Sequence, residues 1–174
     1  MIYHCYGGAH SSVTAANIHV GRLPRDRAPL YSELVSQNFF DLQRVADTGK
    51  IILMGQDIQG NHIYVVGRRS RPYLLENVVN GLSEIFGINK DSYIIVDVSP
   101  CVNLAMKLGG FMSRRMGLVA LGRPIVTWGT MRNYKRLLDE VDKVLYMLAK
   151  SPQEPPQKNK TRSIPIKCPG VEYR

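Results

Sequence analysis

Residues Met1–Gly21 read MIYHCYGGAHSSVTAANIHVG, and this stretch decides the fold. An apolar run, Met1–Tyr6, meets two glycines, a His-Ser-Ser corner and then a helical pattern from Val13 to Val20. The pattern is a strand, a tight turn and a helix opening, with Gly21 placed where a C′ glycine belongs. Such a corner aims backbone N–H groups and the positive end of a helix dipole at one point, which suits an anion.

Outward from that corner, strands and helices alternate. The connector Gly21–Pro29 is basic and proline-punctuated. Leu30–Ala46 then places Leu30, Leu34, Val35, Leu42, Val45 and Ala46 at the spacing of one helical face, closed by Thr48-Gly49. Ile51–Met54 and His62–Val66 flank a polar turn containing Gly60-Asn61, the pattern of an antiparallel hairpin or of a strand with a wide loop. Pro72 opens a helix over Tyr73–Phe86, with apolar Leu74, Leu75, Val78, Val79, Leu82 and Phe86, and Gly87 ends it. Ser92–Val98 is a near-continuous apolar run, as expected of a central parallel strand. Ser99-Pro100 reads as an N-cap and N1 pair opening a helix to Arg115. Gly109-Gly110 in its middle marks either a break or a close packing contact. Pro124–Trp128 reads as a last strand, turned by Gly129-Thr130 into a final helix. That helix carries the stripe Tyr134, Leu137, Leu138, Val141, Val144, Leu145 and Leu148.

These elements predict a single three-layer α/β domain over residues 1–150, with a mostly parallel sheet and an additional hairpin. Residues 151–174 hold five of the ten prolines and five basic against two acidic residues, the composition of a flexible basic tail. The 174-residue chain suffices for one domain with a real core. No apolar run is long enough to span a bilayer, and His4, Gly7, Gly8 and His10 interrupt any signal-peptide core, so the expected address is cytoplasmic. Cys5, Cys101 and Cys168 form neither a disulfide framework nor a CxxC metal site. The net charge of +9 attracts phosphate-bearing partners of any size, nucleic acids included.

In sheets of this kind ligands sit beyond the carboxyl ends of the strands. The expected ends are Cys5–Ser12, Asp97–Asn103 and Thr127–Thr130, gathering His10, Ser11, Ser12, Asp97, Ser99, Cys101, Asn103 and Thr130. The turn Gly7–Ser12 has no GK[ST] and is not GxGxxG, which argues against Walker A and dinucleotide loops. Nor is it a Cys-x5-Arg loop, because Ser11 stands where the arginine is needed. His10 suits anion contact, acid–base work or metal ligation, or else local packing. Cys5 is either a thiol activated by a helix N-terminus or a small buried hydrophobe. A Cys5/Cys101/His10 metal cluster has no spacing signature. Asp97, ending an apolar strand, must be hydrogen-bonded or near solvent. Asp57 reads as a turn carboxylate, and His4 and His19 as structural or solvent-facing.

The segments HCYGGAHSSVTAANIHVGRLP and VDVSPCVNLAMKLGGFMSRRMGLVALGRPIVTWGT resemble an uncharacterised family of short proteins from spore-forming Gram-positive bacteria. The YGGxHSS motif carries the resemblance, which spans about residues 1–148. It implies a bacterial cytosolic protein and brings no activity, cofactor or catalytic residue with it.

The sequence therefore predicts a phosphate- or nucleotide-type site at the Gly7–Ser12 turn. Gly7, Gly8, Ser11, Ser12, Ser99, Asn103 and Thr130 are the expected binding residues, with His10 and Asp97 as acid–base groups of a hydrolase or transferase. The alternatives are a non-enzymatic protein binding nucleic acid or an acidic partner through its tail, and a regulatory or scaffold protein. No cofactor, metal or oligomeric state is named by the sequence.

Overall fold

The computed structural model describes residues 1–150; the basic tail expected at 151–174, and any nucleic-acid contact through it, lie outside the described residues. Strand β1 (Ile2–Cys5) is central. It pairs in parallel with β3 (His62–Gly67) on one side and β4 (Ile95–Asp97) on the other, and β2 (Ile52–Gln56) adds antiparallel to β3. The order is β2-β3-β1-β4. The predicted hairpin and mostly parallel sheet are therefore present. The run Ser92–Val98 differs from expectation: only Ile95–Asp97 pairs, and it forms an edge rather than a central strand.

Helix α1 (Ser11–His19) follows β1, and every one of its residues is buried. Its small side chains, Ser11, Ser12, Ala15 and Ala16, let it sit between the sheet and α6 (Tyr134–Lys150). The stripe read from the sequence on α6 is the one that packs. Tyr134, Leu137, Val141 and Val144 enter the core with Tyr3, Val13, Ile18, Ile63 and Val65, and Leu138, Leu145 and Leu148 pack against it. The β3–β4 crossover runs back across the sheet through α3 (Pro72–Ile85). Because such crossovers are right-handed, opposite directions place α1 and α3 on opposite faces. The face turned from α1 buries His4 and Val66. Leu74, Val78, Leu82 and Phe86 of the α3 region remain exposed, so the apolar face of this helix is wider than the strip it covers.

Three further expectations are corrected by the fold. Pro124–Trp128 is not a strand but part of α5 (Val119–Arg132), and Gly129-Thr130 is helical too. Its run of Ile125, Val126 and Thr127 has β-propensity, yet tertiary packing against α4 (Leu104–Arg114) overrides it. Second, the helix opened by Ser99-Pro100 is a single 3-10 turn. The true helix starts at Leu104, with the Asn103 side chain accepting from the Met106 N–H. Third, Leu30–Ala46 is α-helical only over α2 (Tyr31–Val35), with a 3-10 turn at Val45–Asp47. Beyond it Phe39 and Asp41 take left-handed φ values of 68° and 52°, and the Asp41 N–H donates to the Ala9 carbonyl at 3.0 Å. That bond holds the segment against the β1–α1 corner.

The paired glycines on α4 mark close packing, one of the two alternatives above. A Cβ on Gly109 would lie 2.4 Å from the Val126 N and 2.8 Å from the Gly122 O, both backbone atoms of α5. Ala105, Gly109 and Ser113 thus present a small-residue ridge, four residues apart, to Gly122, Val126 and Gly129. Gly109→Ala should cost about 1–3 kcal/mol from overpacking, read as a lower urea midpoint than that of the parent chain, whereas Gly81→Ala on α3, with open space around it, should not destabilise.

Candidate functional site

The corner between β1 and α1 is built on backbone approach. Gly8 has φ +68°, and a Cβ there would stand 2.5 Å from the Gly67 N at the end of β3. The Cys5 thiol closes the turn, accepting from the Gly8 N–H at 3.2 Å and hydrogen-bonding the Ser12 Oγ at 3.3 Å. The His10 carbonyl accepts the first helical bond, from the Thr14 N–H at 2.8 Å. The N–H groups of the first turn of α1 therefore have no acceptor within the helix, and they lie at the carboxyl end of β1.

In front of them lies a pocket of about 470 Å³. Its floor includes Cys5, Gly7, His10 and Ser11; its far wall is α4, through Met106, Lys107, Gly110, Phe111 and Arg114. Five cationic residues line it, Arg44, Arg69, Lys107, Arg114 and Arg115, and no carboxylate does. Arg69 lies over the Tyr6 ring and Arg115 over the Phe111 ring, so two of the cations are braced by aromatic faces. Gln43 also lines the pocket. It is 5% exposed, and both polar atoms of its amide are buried without a hydrogen-bond partner.

The carboxylate next to His10 is Asp41. Its Oδ1 is 2.9 Å from the His10 Nε2. The Ser113 hydroxyl donates to both Asp41 oxygens, at 2.9 and 2.8 Å, and the Nε atoms of Arg114 and Arg123 each approach to 2.9 Å. Burial alone would raise this carboxyl, but hydrogen bonds from His10, Arg123 and Ser113 overcome it and hold it at about 2. Nothing in the sequence singles out Asp41, because its place depends on left-handed backbone and on donors far along the chain.

Of the expected site residues, the pocket gathers Gly7, His10, Ser11 and Ser99. Gly8 shapes the turn beneath it, and the Ser12 hydroxyl is turned to Cys5. Asp97 does not face His10. Its carboxylate accepts from the Ser99 N–H at 2.8 Å and from the Arg68 Nη2 at 2.9 Å, and Arg68 also donates to the Ser99 Oγ and the His4 Nδ1. Burial pushes the Asp97 carboxyl up, and the bonds from Ser99 outweigh it and lower it. Burial likewise lowers His4, whose Nδ1 is an acceptor. Asn103 is engaged as a cap and with the Gly129 carbonyl, and Thr130 is a buried helical residue whose hydroxyl donates to the Val126 carbonyl. Thr130 therefore stands at no strand end. Cys101 sits apart from the pocket with its thiol toward the Arg136 carbonyl, and burial raises it. Asp57 is the turn carboxylate expected, accepting from the Gln59 and Asn61 N–H groups, and it also pairs with buried His19.

Fold and pocket together define a mixed α/β domain with a cation-lined cleft at the carboxyl end of its sheet. Over residues 1–145 the chain matches the family described as Protein of unknown function (DUF3189), and it belongs to that family. No curated protein and no solved structure matches it. Among the described residues no helix is long and apolar enough to cross a membrane.

Asp41 contributes stability that is fully present above its unfolded value near 3.8 and is lost as pH falls toward about 2. In urea titrations the advantage of the parent chain over Asp41→Asn should be constant near neutrality and shrink over that acid window. At neutral pH, Asp41→Ala should cost about 3–5 kcal/mol, because two arginines lose their buried partner.

Proposed function

We propose that the pocket binds a phosphate-type anion at the Gly7–Ser12 corner, as part of a phosphorylated small molecule on which the protein acts as a hydrolase or transferase. The observation that carries this reading is the lining itself: five cations and no carboxylate around the N-terminus of a fully buried helix. Helix N-termini favour anions through their unbonded N–H groups and dipole. Lys107 and Arg44 have no carboxylate partner among the described residues, so their charge is available to a ligand. The volume and the apolar wall of Val102, Met106 and Phe111 suit an organic portion beside the phosphate. The unpaired Gln43 amide adds a donor and an acceptor that protein groups leave unmet.

Inorganic phosphate and a panel of mononucleotides, titrated against the full chain in a thermal-shift assay at low salt, should raise the unfolding midpoint with concentration. Lys107→Ala should weaken binding by roughly tenfold or more, the scale of one charge-assisted hydrogen bond. No shift with any of them, or an unchanged affinity in Lys107→Ala and Ser11→Ala alike, would overturn the reading. Salt-steep binding of nucleic acid that phosphate does not compete would favour the tail instead.

A further inference from the structure

We infer that His10 and Asp41 form an acid–base pair serving this pocket, with His10 Nδ1 as the proton-exchanging atom and Asp41 as the residue that positions it. The inference rests on the anion site proposed above and assigns the chemistry beside it to these two residues. An ionised carboxylate only accepts hydrogen bonds. Asp41 is ionised, with Ser113, Arg114 and Arg123 all directed at its oxygens, so the His10 Nε2 at 2.9 Å must carry the hydrogen. In neutral His10 the lone pair then lies on Nδ1, which has no protein hydrogen bond among the described residues. The side chain is 13% exposed, and its residue lines the pocket.

Gly110 explains why that edge of the ring stays open. A Cβ there would come within 3.3 Å of Nδ1 and 3.1 Å of Cε1. The glycine therefore leaves room beside the nitrogen on the wall that also carries Lys107 and Arg114. Phe40 packs edge-on against the imidazole, with ring centroids 5.6 Å apart, and fixes its plane.

The pair suits hydrolysis of a phosphate ester. Nδ1 takes the proton of a water as its oxygen forms a bond to phosphorus. Asp41 stabilises the resulting imidazolium, and Nδ1 returns the proton to the leaving oxygen as the old P–O bond breaks. Proton and electron pairs balance without a further reactant.

The surroundings make binding and protonation interdependent. The charged groups around His10 are Asp41 from the loop after α2, Lys107 and Arg114 from α4 with Arg115 at its end, Arg123 from α5 through its bond to Asp41, and Arg44 and Arg69 across the pocket. A bound phosphate adds negative charge among these groups, and a nearby anion favours the protonated ring.

The test is imidazole nitrogen NMR on the full-length protein, with and without inorganic phosphate. Neutral His10 should be the Nε2–H tautomer, and saturating phosphate should raise its titration midpoint by about 1 pH unit or more. Asp41→Asn should remove the tautomer preference. Gly110→Ala, which leaves the bonds of Asp41 untouched, should diminish the phosphate-linked shift, and it serves as the second variant if Asp41→Asn does not fold. A neutral Nδ1–H form, or phosphate that binds without moving the His10 midpoint, overturns the pair while leaving the anion site standing. An Nε2–H form in a protein that phosphate does not perturb anywhere overturns the anion site, and with it reduces Asp41 to an architectural tie.

Discussion

One buried carboxylate holds the working end of this protein together. Asp41 is fully buried and receives donors from the β1–α1 corner, from α4 and from α5 at once. A lone ionised carboxyl in that position would be prohibitively unfavourable, so its donors are obligatory and their elements must stay where they are. The α4–α5 pair packs chiefly within itself, and its tie to the corner runs through this cluster as well as the contacts of α2 with α5. The far wall of the pocket is thus placed by the Asp41 cluster together with helix packing, and the near wall by the hydrophobic core beneath α1.

The two helices that form the far wall behave as one body because of what they lack. Glycine at 109 and 122 brings backbone to backbone, and neither helix can slide without forcing main-chain atoms together. Gly110, one position on, turns the same economy toward the pocket, where the absent side chain leaves an imidazole edge open. Adjacent glycines in one helix therefore serve opposite faces, one packing and one open.

How much of this is legible in the sequence depends on the range of the interaction concerned. Local rules find β1, the turn, α1, the hairpin and the stripe of α6, since each is set by periodicity or by turn residues. The segment Pro124–Trp128 misleads because β-branched residues on a tightly packed helix carry the same pattern as a short strand. Asp97 attracts attention because it ends an apolar run, yet its charge is absorbed by Arg68 and Ser99. Asp41, the carboxylate that does meet His10, sits in Asn38–Gln43 with no spacing to mark it, and only the fold brings it inward. Gln43 and Lys107 are invisible for the same reason.

The separations in that cluster also order events in time. Asp41 meets Ser113 across 72 residues and Arg123 across 82. A chain emerging from the ribosome cannot bury Asp41 until α4 and α5 exist to neutralise it, nor can it bury α1 until α6, the last described helix, covers it. Corner and cleft therefore close together, and only once the last third of the domain has been made.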